Sequence, residues 1–307
     1  MVDEPYVLTK EGKKIRCLSN VCTHRGTIVC EKATKTKNLV CGYHGRQFHI
    51  DGKMKFMPEF EDVENFPSES DNLPRIEMDL WEKMIFIIND KKCDIGELIG
   101  PMVERLSWLP IEEFKYKPEL SRIYNVKANW ALYCDNYLEG FHIPFVHKDL
   151  NQTLEYDEYF TEGIDNTVLQ IGIGKGDENT FDLPKNHQDY GKNVAAYYFF
   201  LFPNMMFNFY PWGLSVNVVK PKSPEETQID YFTYVWKEEL MERGAGSGLD
   251  KVELEDEEIV ESVQKGIKSK AYDRGRYSPR REIGVHYFHK LIPVSYTHLT
   301  LPTNREV

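Results

Sequence analysis

Residues 5–9 and 14–18, mostly apolar and β-prone, flank the polar turn Lys10-Glu11-Gly12-Lys13, a pattern that predicts a β-hairpin. Further short strands are predicted at 39–41, 48–50 and 53–56, with a turn at Asp51-Gly52. Residues 76–81 and 84–88 complete a small all-β unit, and a helix is predicted over 96–106. Beyond Pro118 the pattern changes. Longer β stretches at 120–127, 168–173, 195–202, 205–210, 214–219 and 228–235 accompany helical spacing over 130–142 and 249–271. This second part reads as an antiparallel sheet packed on helices, which makes the chain α+β. Gly244-Ala245-Gly246-Ser247-Gly248 is the one expected flexible joint, and no internal repeat is visible.

Candidate chemistry enters through spacing. Cys22-Thr23-His24 is followed, sixteen residues on, by Cys41-Gly42-Tyr43-His44. Each clamp carries one thiol and one imidazole. Two thiolates on one iron and two neutral imidazoles on the other make the ligand set of a Rieske-type [2Fe–2S] cluster. A Cys2His2 zinc site is the rival, but its usual spacing puts both Cys in one clamp and both His in the other.

A length of 307 residues allows one large domain or two ordinary ones. No run of eighteen apolar residues is present, so no membrane-spanning helix is expected. The start, Met1-Val2-Asp3-Glu4-Pro5, lacks a basic and apolar leader. Cys17, Cys30, Cys93 and Cys134 show no disulfide framework, and Thr27 and Tyr43 stand where respiratory Rieske domains add a stabilising Cys. The expected compartment is therefore the reducing cytoplasm. Charge is uneven: residues 1–55 carry eleven Lys/Arg against five Asp/Glu, whereas 56–307 carry 27 against 44. Lys32, Lys35 and Lys37 lie between the clamps, with Lys53 and Lys55 just after. This is either a solvated loop face or a docking patch for an acidic electron donor. A nucleic-acid surface is not expected, since no basic groove with interleaved aromatics is seen.

A second constellation spans Asn129 to His147. Glu139 and His142 are three apart, which on a helix places them on one face. His142 and His147 are five apart and would diverge by roughly 140° on a continuous helix. Pro144 is expected to break the helix and swing His147 back. Two His and one carboxylate form the facial triad of non-haem Fe(II) oxygenases. Asp256 is the expected carboxylate, because Leu249, Val252, Asp256, Val260, Val263 and Ile267 share a helical stripe. The rest of Glu253-Leu254-Glu255-Asp256-Glu257-Glu258 reads as a solvated acidic face. A competing arrangement makes Glu139 the ligand and leaves Asp256 structural.

On these motifs the chain resembles the catalytic α subunit of Rieske non-haem iron ring-hydroxylating oxygenases. The two clamps, the Glu139-x2-His142-x4-His147 run, and Gly275-Arg276-Tyr277-Ser278-Pro279 with Gly284-Val285-His286-Tyr287-Phe288-His289 carry the likeness. The resemblance implies a Rieske [2Fe–2S] domain over 1–92 and a helix-grip catalytic domain over 93–294. It implies that Cys22, His24, Cys41 and His44 hold the cluster, and that His142, His147 and Asp256 hold one mononuclear Fe(II). It gives Glu139 the role of bridge to the cluster ligand His44 of a neighbouring subunit, in a head-to-tail homotrimer. Implied partners are O2, a small-molecule substrate, and a reductase or ferredoxin that brings electrons from NAD(P)H.

Glu139, where most arene dioxygenases have Asp, looks more like the branch acting on quaternary amines, the choline and carnitine monooxygenases. The expected activity is hydroxylation or demethylation of a small organic molecule. The alternatives are arene cis-dihydroxylation and, outside enzymes, a Rieske-ferredoxin-type electron carrier. Arg46 departs from the family, where many relatives have Trp after the second clamp. One face of the aromatic-rich stretch 195–212 is expected to line a cavity suited to a flat arene or to a quaternary ammonium. At the ends, a leading segment is expected to be missing. Ser295-Tyr296-Thr297-His298-Leu299 resembles the translation of a transposon adapter used in sequencing libraries, so 295–307 are expected to be a non-native tail.

Overall fold

The structure, a computed structural model, describes residues 4–88, 94–176 and 178–299. The chain divides into two compact units, Met1–Ile95 and Gly96–Val307.

In the first unit, β1 (Tyr6–Glu11) and β2 (Lys14–Ser19) form the hairpin, with Leu8 opposite Cys17. The short strands β3 (Asn38–Val40), β4 (Gln47–His49) and β5 (Met54–Phe56) form a three-stranded sheet of their own. β6 (Arg75–Trp81) joins β2, and β7 (Met84–Ile88) closes a four-stranded antiparallel sheet in the order β1-β2-β6-β7. The core between them is small. Leu18, Val29, Leu39, Phe48 and Leu73 pack around Cys22 and Cys41, so both clamp thiols are core residues. Arg46 is also buried, at 2% exposure. Its Nη2 pairs with Asp71 Oδ1 at 2.6 Å, and its guanidinium lies 5.7 Å and 5.5 Å from the ring centroids of Phe48 and Phe66. A charge-assisted bond and two aromatic faces replace the stacking that an indole would supply.

The second unit opens with helix α1 (Ile95–Arg105). Its sheet runs β10 (Phe160–Ile164), β11 (Thr167–Ile173), β12 (Val194–Leu201), β13 (Met205–Tyr210), β14 (Gly213–Ser223), β15 (Glu226–Val235), β8 (Lys115–Tyr116). Strand β9 (Arg122–Val126) also pairs with β15, and all pairings are antiparallel. Every residue of β11 is buried, as in a strand covered on both faces. Helices α2 (Trp130–Tyr137), α5 (Leu249–Gly266) and α6 (Ile283–Leu299) supply one cover. Tyr133, Cys134 and Leu138 from the α2 end, Val260, and Val285 and Phe288 from α6 pack with Val168, Phe200, Met206, Val219 and Ile229 of the sheet. The short helices α3 (Ile143–Val146) and α4 (Leu150–Thr153) lie in the α2–β10 connection.

Several expectations change. The helix expected over 130–142 stops at Tyr137, and a turn separates it from α3. Pro144 does not break a helix. It occupies the first turn of α3, where its missing N–H costs nothing. Helix α5 ends at Gly266, and Val263 and Ile267 are exposed at 42% and 39%. The inward stripe instead continues through Glu253, Val260 and Gln264. The joint at 244–248 is packed: Ala245 and Gly246 are buried, and the Gly246 carbonyl accepts from Trp212 Nε1 at 3.1 Å. The pattern break at Ser295 does not interrupt the backbone of α6, which runs to Leu299. The rest of that expected tail, 300–307, lies outside the described residues, as does Cys93. Among the described residues no helix is long and apolar enough to cross a membrane.

Candidate metal centres

The two clamps of the first unit fold alike. The Cys22 N–H donates to Thr27 O and the Gly26 N–H to Cys22 O. The Cys41 N–H donates to Arg46 O and the Gly45 N–H to Cys41 O. Gly26 and Gly45, each four residues past its Cys, adopt φ of 74° and 72°, a left-handed bend that other side chains resist. Both loops thereby present a thiol and an imidazole to one place. The rings of His24 and His44 are 4.8 Å apart, edge to face. Burial pushes the Cys22 thiol up and the Cys41 thiol beside it adds to the shift, against lowering bonds from backbone N–H groups. Burial, His44 and two Arg hold His24 below its ordinary value, in the neutral form that a metal requires. His44 Nδ1 is buried without a hydrogen-bond partner. A buried imidazole nitrogen left unpaired is costly unless a ligand occupies it. These donors fit a cluster with one thiolate and one imidazole from each loop.

In the second unit, the turn after α2 builds the other site. Glu139 Oε2 accepts the backbone N–H groups of Phe141 and His142, the latter at 3.1 Å, which folds 139–142 into a tight arch. Glu139 Oε1 pairs with His142 Nδ1 at 2.7 Å. The two residues meet through this arch rather than across a helix face. His147 ends α3 and is 1% exposed. Among the described residues, one ligand atom each from His142, His147 and Asp256 lies within 4.8 Å of the others. Asp256 Oδ1 is 3.0 Å from His147 Nε2 and 3.5 Å from His142 Nε2. Atoms about 2.1 Å from one metal, at right angles, stand about 3 Å apart. The donor set and spacing fit a mononuclear ion held on one face.

The competing arrangement, with Glu139 as ligand, does not match this geometry. Glu139 holds the outer nitrogen of His142 while Asp256 faces the inner one. Glu255, read from sequence as part of a solvated face, holds His147 Nδ1 at 2.8 Å. Each imidazole is thus clamped from behind by a carboxylate, which fixes its tautomer and aim. Burial pulls His147 down, but the bonds and charges of Asp256 and Glu255 outweigh it and raise its pKa.

A cavity of about 100 Å³ opens on this triad. It is lined by six tyrosines, Tyr133, Tyr137, Tyr159, Tyr198, Tyr210 and Tyr231, with Gln170, Asn208, Ser215 and Asn217 among the polar groups. Of the stretch 195–212, Tyr198, Asn208 and Tyr210 line the cavity, while Phe199, Phe207 and Phe209 are buried elsewhere in the core. Beside the cavity, Glu253 is 3% exposed and was likewise assigned to the solvated face by sequence. Burial pushes its carboxyl up to about 8, and Asp256 and Glu257 add to that against two lowering tyrosine hydrogen bonds. Its position three residues before Asp256 was the available sequence signal.

Two candidate ligand constellations, on a β unit and on a helix-covered antiparallel sheet, fit an iron–sulfur centre and a mononuclear iron. Family comparison agrees. Residues 1–67 match the Rieske [2Fe-2S] domain, and 106–294 match the ring hydroxylating alpha subunit catalytic domain. The chain belongs to the Rieske non-haem iron ring-hydroxylating oxygenase α-subunit family, whose members carry a Rieske cluster and a mononuclear iron. It is 30% identical to the carnitine monooxygenase oxygenase subunit of Escherichia coli (strain K12), covering 95% of this chain and 81% of that one. It is 28% identical to the chloroplastic choline monooxygenase of Spinacia oleracea over 92% of this chain, and spans 65% of that relative's length. A solved quaternary ammonium Rieske monooxygenase superposes with a TM-score of 0.71 at 25% identity, covering 95% of this chain and 85% of that one.

Proposed function

We propose that this chain is a terminal oxygenase component that hydroxylates or demethylates a small quaternary ammonium compound. Cys22, His24, Cys41 and His44 would hold the [2Fe–2S] cluster, and His142, His147 and Asp256 the mononuclear Fe(II). When bound, these centres supply the electrons and the O2-reactive metal. The observation that carries the substrate reading is the six-tyrosine wall facing the triad. Aromatic faces attract a quaternary ammonium by roughly 0.5–2 kcal/mol per ring. No Lys or Arg is among the cavity's described lining residues, whereas Glu139 and Asp256 are. These carboxylates offset the charge of a ferrous ion, so a cationic substrate is not repelled.

Glu139 has the role of coupling residue in this reading. One oxygen holds His142 Nδ1, and each carboxylate oxygen has two acceptor sites, so Oε1 keeps one for an outside donor. Phe141 of this arch is 40% exposed and Phe145 of the following α3 75%, an apolar rim that suits a second copy of the chain in a head-to-tail trimer. Electrons would arrive from an external reductase.

The test is a substrate panel run with anaerobically reduced protein, then O2: choline, carnitine, glycine betaine, benzoate and a methoxylated arene. The expected result is product matched to O2 uptake for a quaternary amine. Glu139→Gln should keep both metals and slow turnover severely. Turnover confined to the arenes would remove the substrate reading. A cluster without mononuclear iron would favour an electron carrier instead.

A further inference from the structure

Glu253 does nothing in the ligand geometry, yet it is a buried carboxyl group directly behind the cavity wall. Helix α5 places it one turn before Asp256, pointing between α2 and β15. Tyr133 of α2 donates to Glu253 Oε2 at 2.7 Å, and Tyr231 of β15 donates to the same oxygen. The two phenol oxygens are 3.0 Å apart. Both tyrosines line the cavity that faces the triad. The second oxygen, Glu253 Oε1, is buried with no hydrogen-bond partner among the described residues. An ionised carboxylate left half-satisfied in such a place costs more than a neutral acid does.

We propose that Glu253 is a proton reservoir for the candidate oxygenase site, wired to the cavity through the hydroxyls of Tyr133 and Tyr231. This rests on the oxygenase reading above. Under it, each hydroxylation consumes one O2, two electrons from the reductase and two protons, and yields one hydroxylated product and one water. Hydroxyl hydrogens rotate to suit their partners. With Glu253 protonated, Oε2–H donates to Tyr133 Oη, and the Tyr133 O–H turns to the cavity. Loss of the Tyr133 proton to an acceptor there breaks one O–H bond, and the Glu253 proton replaces it. Tyr231 offers a parallel step. The carboxylate regains its proton from water by the reverse path once product has left.

The surroundings suit this role. Burial first, then Glu253, holds both phenols well above their ordinary range, so they pass protons without remaining phenolates. The groups facing Glu253 are Tyr133 from α2, Tyr231 from β15, Asp256 and Glu257 from α5, and Tyr124 from β9, itself bonded to Asp250. Burial is the main cause that favours the protonated carboxyl, and the part due to Asp256 is offset once that residue holds a ferrous ion. Glu253 acts through the tyrosines, so it is a positioning and proton-holding residue.

The experiment uses infrared spectroscopy on the full chain loaded with iron and cluster. A protonated carboxyl band that shifts in D2O should be present near neutral pH, bleach only well above the ordinary carboxylate range, and vanish in Glu253→Gln. In Tyr133→Phe/Tyr231→Phe the band should remain, but its exchange with D2O should slow about tenfold or more. With choline as the turnover probe, both variants should keep wild-type iron content and lose roughly tenfold or more in rate. The decline of rate as this carboxyl ionises on the alkaline side should disappear in Glu253→Gln. A band that survives Glu253→Gln, or exchange unaltered by loss of both hydroxyls, would overturn the reservoir. If choline is not turned over, the two infrared results still decide it, and the failure then belongs to the substrate reading. Should Glu253→Gln not fold, the wild-type pH titration and the double Phe variant suffice.

Discussion

The hydrogen bond from His147 Nδ1 to Glu255 fixes how firmly the triad can hold a metal. Glu255 Oε2 lies 2.8 Å from that nitrogen. His147 is 1% exposed, so its outer N–H has no water to turn to once the carboxylate is gone. An unpaired buried donor costs about 1–3 kcal/mol. Loss of an outer-shell partner of this kind typically weakens metal affinity about 10–100-fold, or about 1.4–2.7 kcal/mol. The Glu255 side chain is 30% exposed, which screens its charge and places the effect toward the lower part of that range. Glu255→Ala should therefore weaken ferrous iron binding roughly 10–30-fold. Glu255→Gln keeps an acceptor oxygen and should lose less than about tenfold. The assay is anaerobic competition for ferrous iron against a chromophoric chelator, with the cluster's visible absorption reporting folded protein. His142→Ala serves as the control that abolishes the site. Near wild-type affinity in Glu255→Ala would refute the reasoning, since His147 would then be aimed by packing alone. Equal losses in Gln and Ala would mean that charge, and not the hydrogen bond, matters.

Arg46→Ala leaves Asp71 without its buried cation. Asp71 is 20% exposed and keeps its bonds to Ser68, so the expected destabilisation is about 2–3 kcal/mol in urea unfolding. A loss below about 1 kcal/mol would contradict this. Glu253 gives a pH prediction with a definite sign. Its folded pKa is raised from 4.5 to about 8, so across that window the folded chain holds a proton that the unfolded chain has released. Stability attributable to this group falls as pH rises, by up to about 1.4 kcal/mol per unit. Glu253→Gln should flatten the stability curve there, and parallel curves for variant and wild type would refute it. Lys35→Glu with Lys37→Glu reverses two exposed charges between the clamps. It should slow reduction of the cluster by an acidic reductase at low salt and weaken the salt dependence. Unchanged low-salt kinetics would leave those lysines as a solvated face.

The clamp loops were readable from sequence because their geometry is local. Each loop carries its own Cys, His and bend-forming Gly within five residues, and no distant contact is needed to identify the donors. Most strands were readable from their runs of apolar residues, but β8 and β10 were not among those expected. Asp256 was partly reachable: of the stripe drawn from helical periodicity, Leu249, Val252 and Asp256 line the cavity, while Val263 and Ile267 are exposed. The route by which His142 and His147 converge was not. It depends on Glu139 folding its own loop, a side chain-to-backbone arrangement that spacing does not encode.

Motif spacing and the pattern of apolar positions pointed to the candidate ligand types and the two-part plan, whereas the tertiary structure decided what surrounds them. In the acidic run from Glu253 to Glu258, sequence made one charge look like the next. Packing separates them: Asp256 faces the imidazoles, Glu255 clamps one from behind, and Glu253 is buried between two tyrosines from α2 and β15. The physical reason is that a carboxylate's role is set by its neighbours and its access to water. Those neighbours, 22 to 120 residues away along the chain for Glu253, meet only when the sheet and helices close.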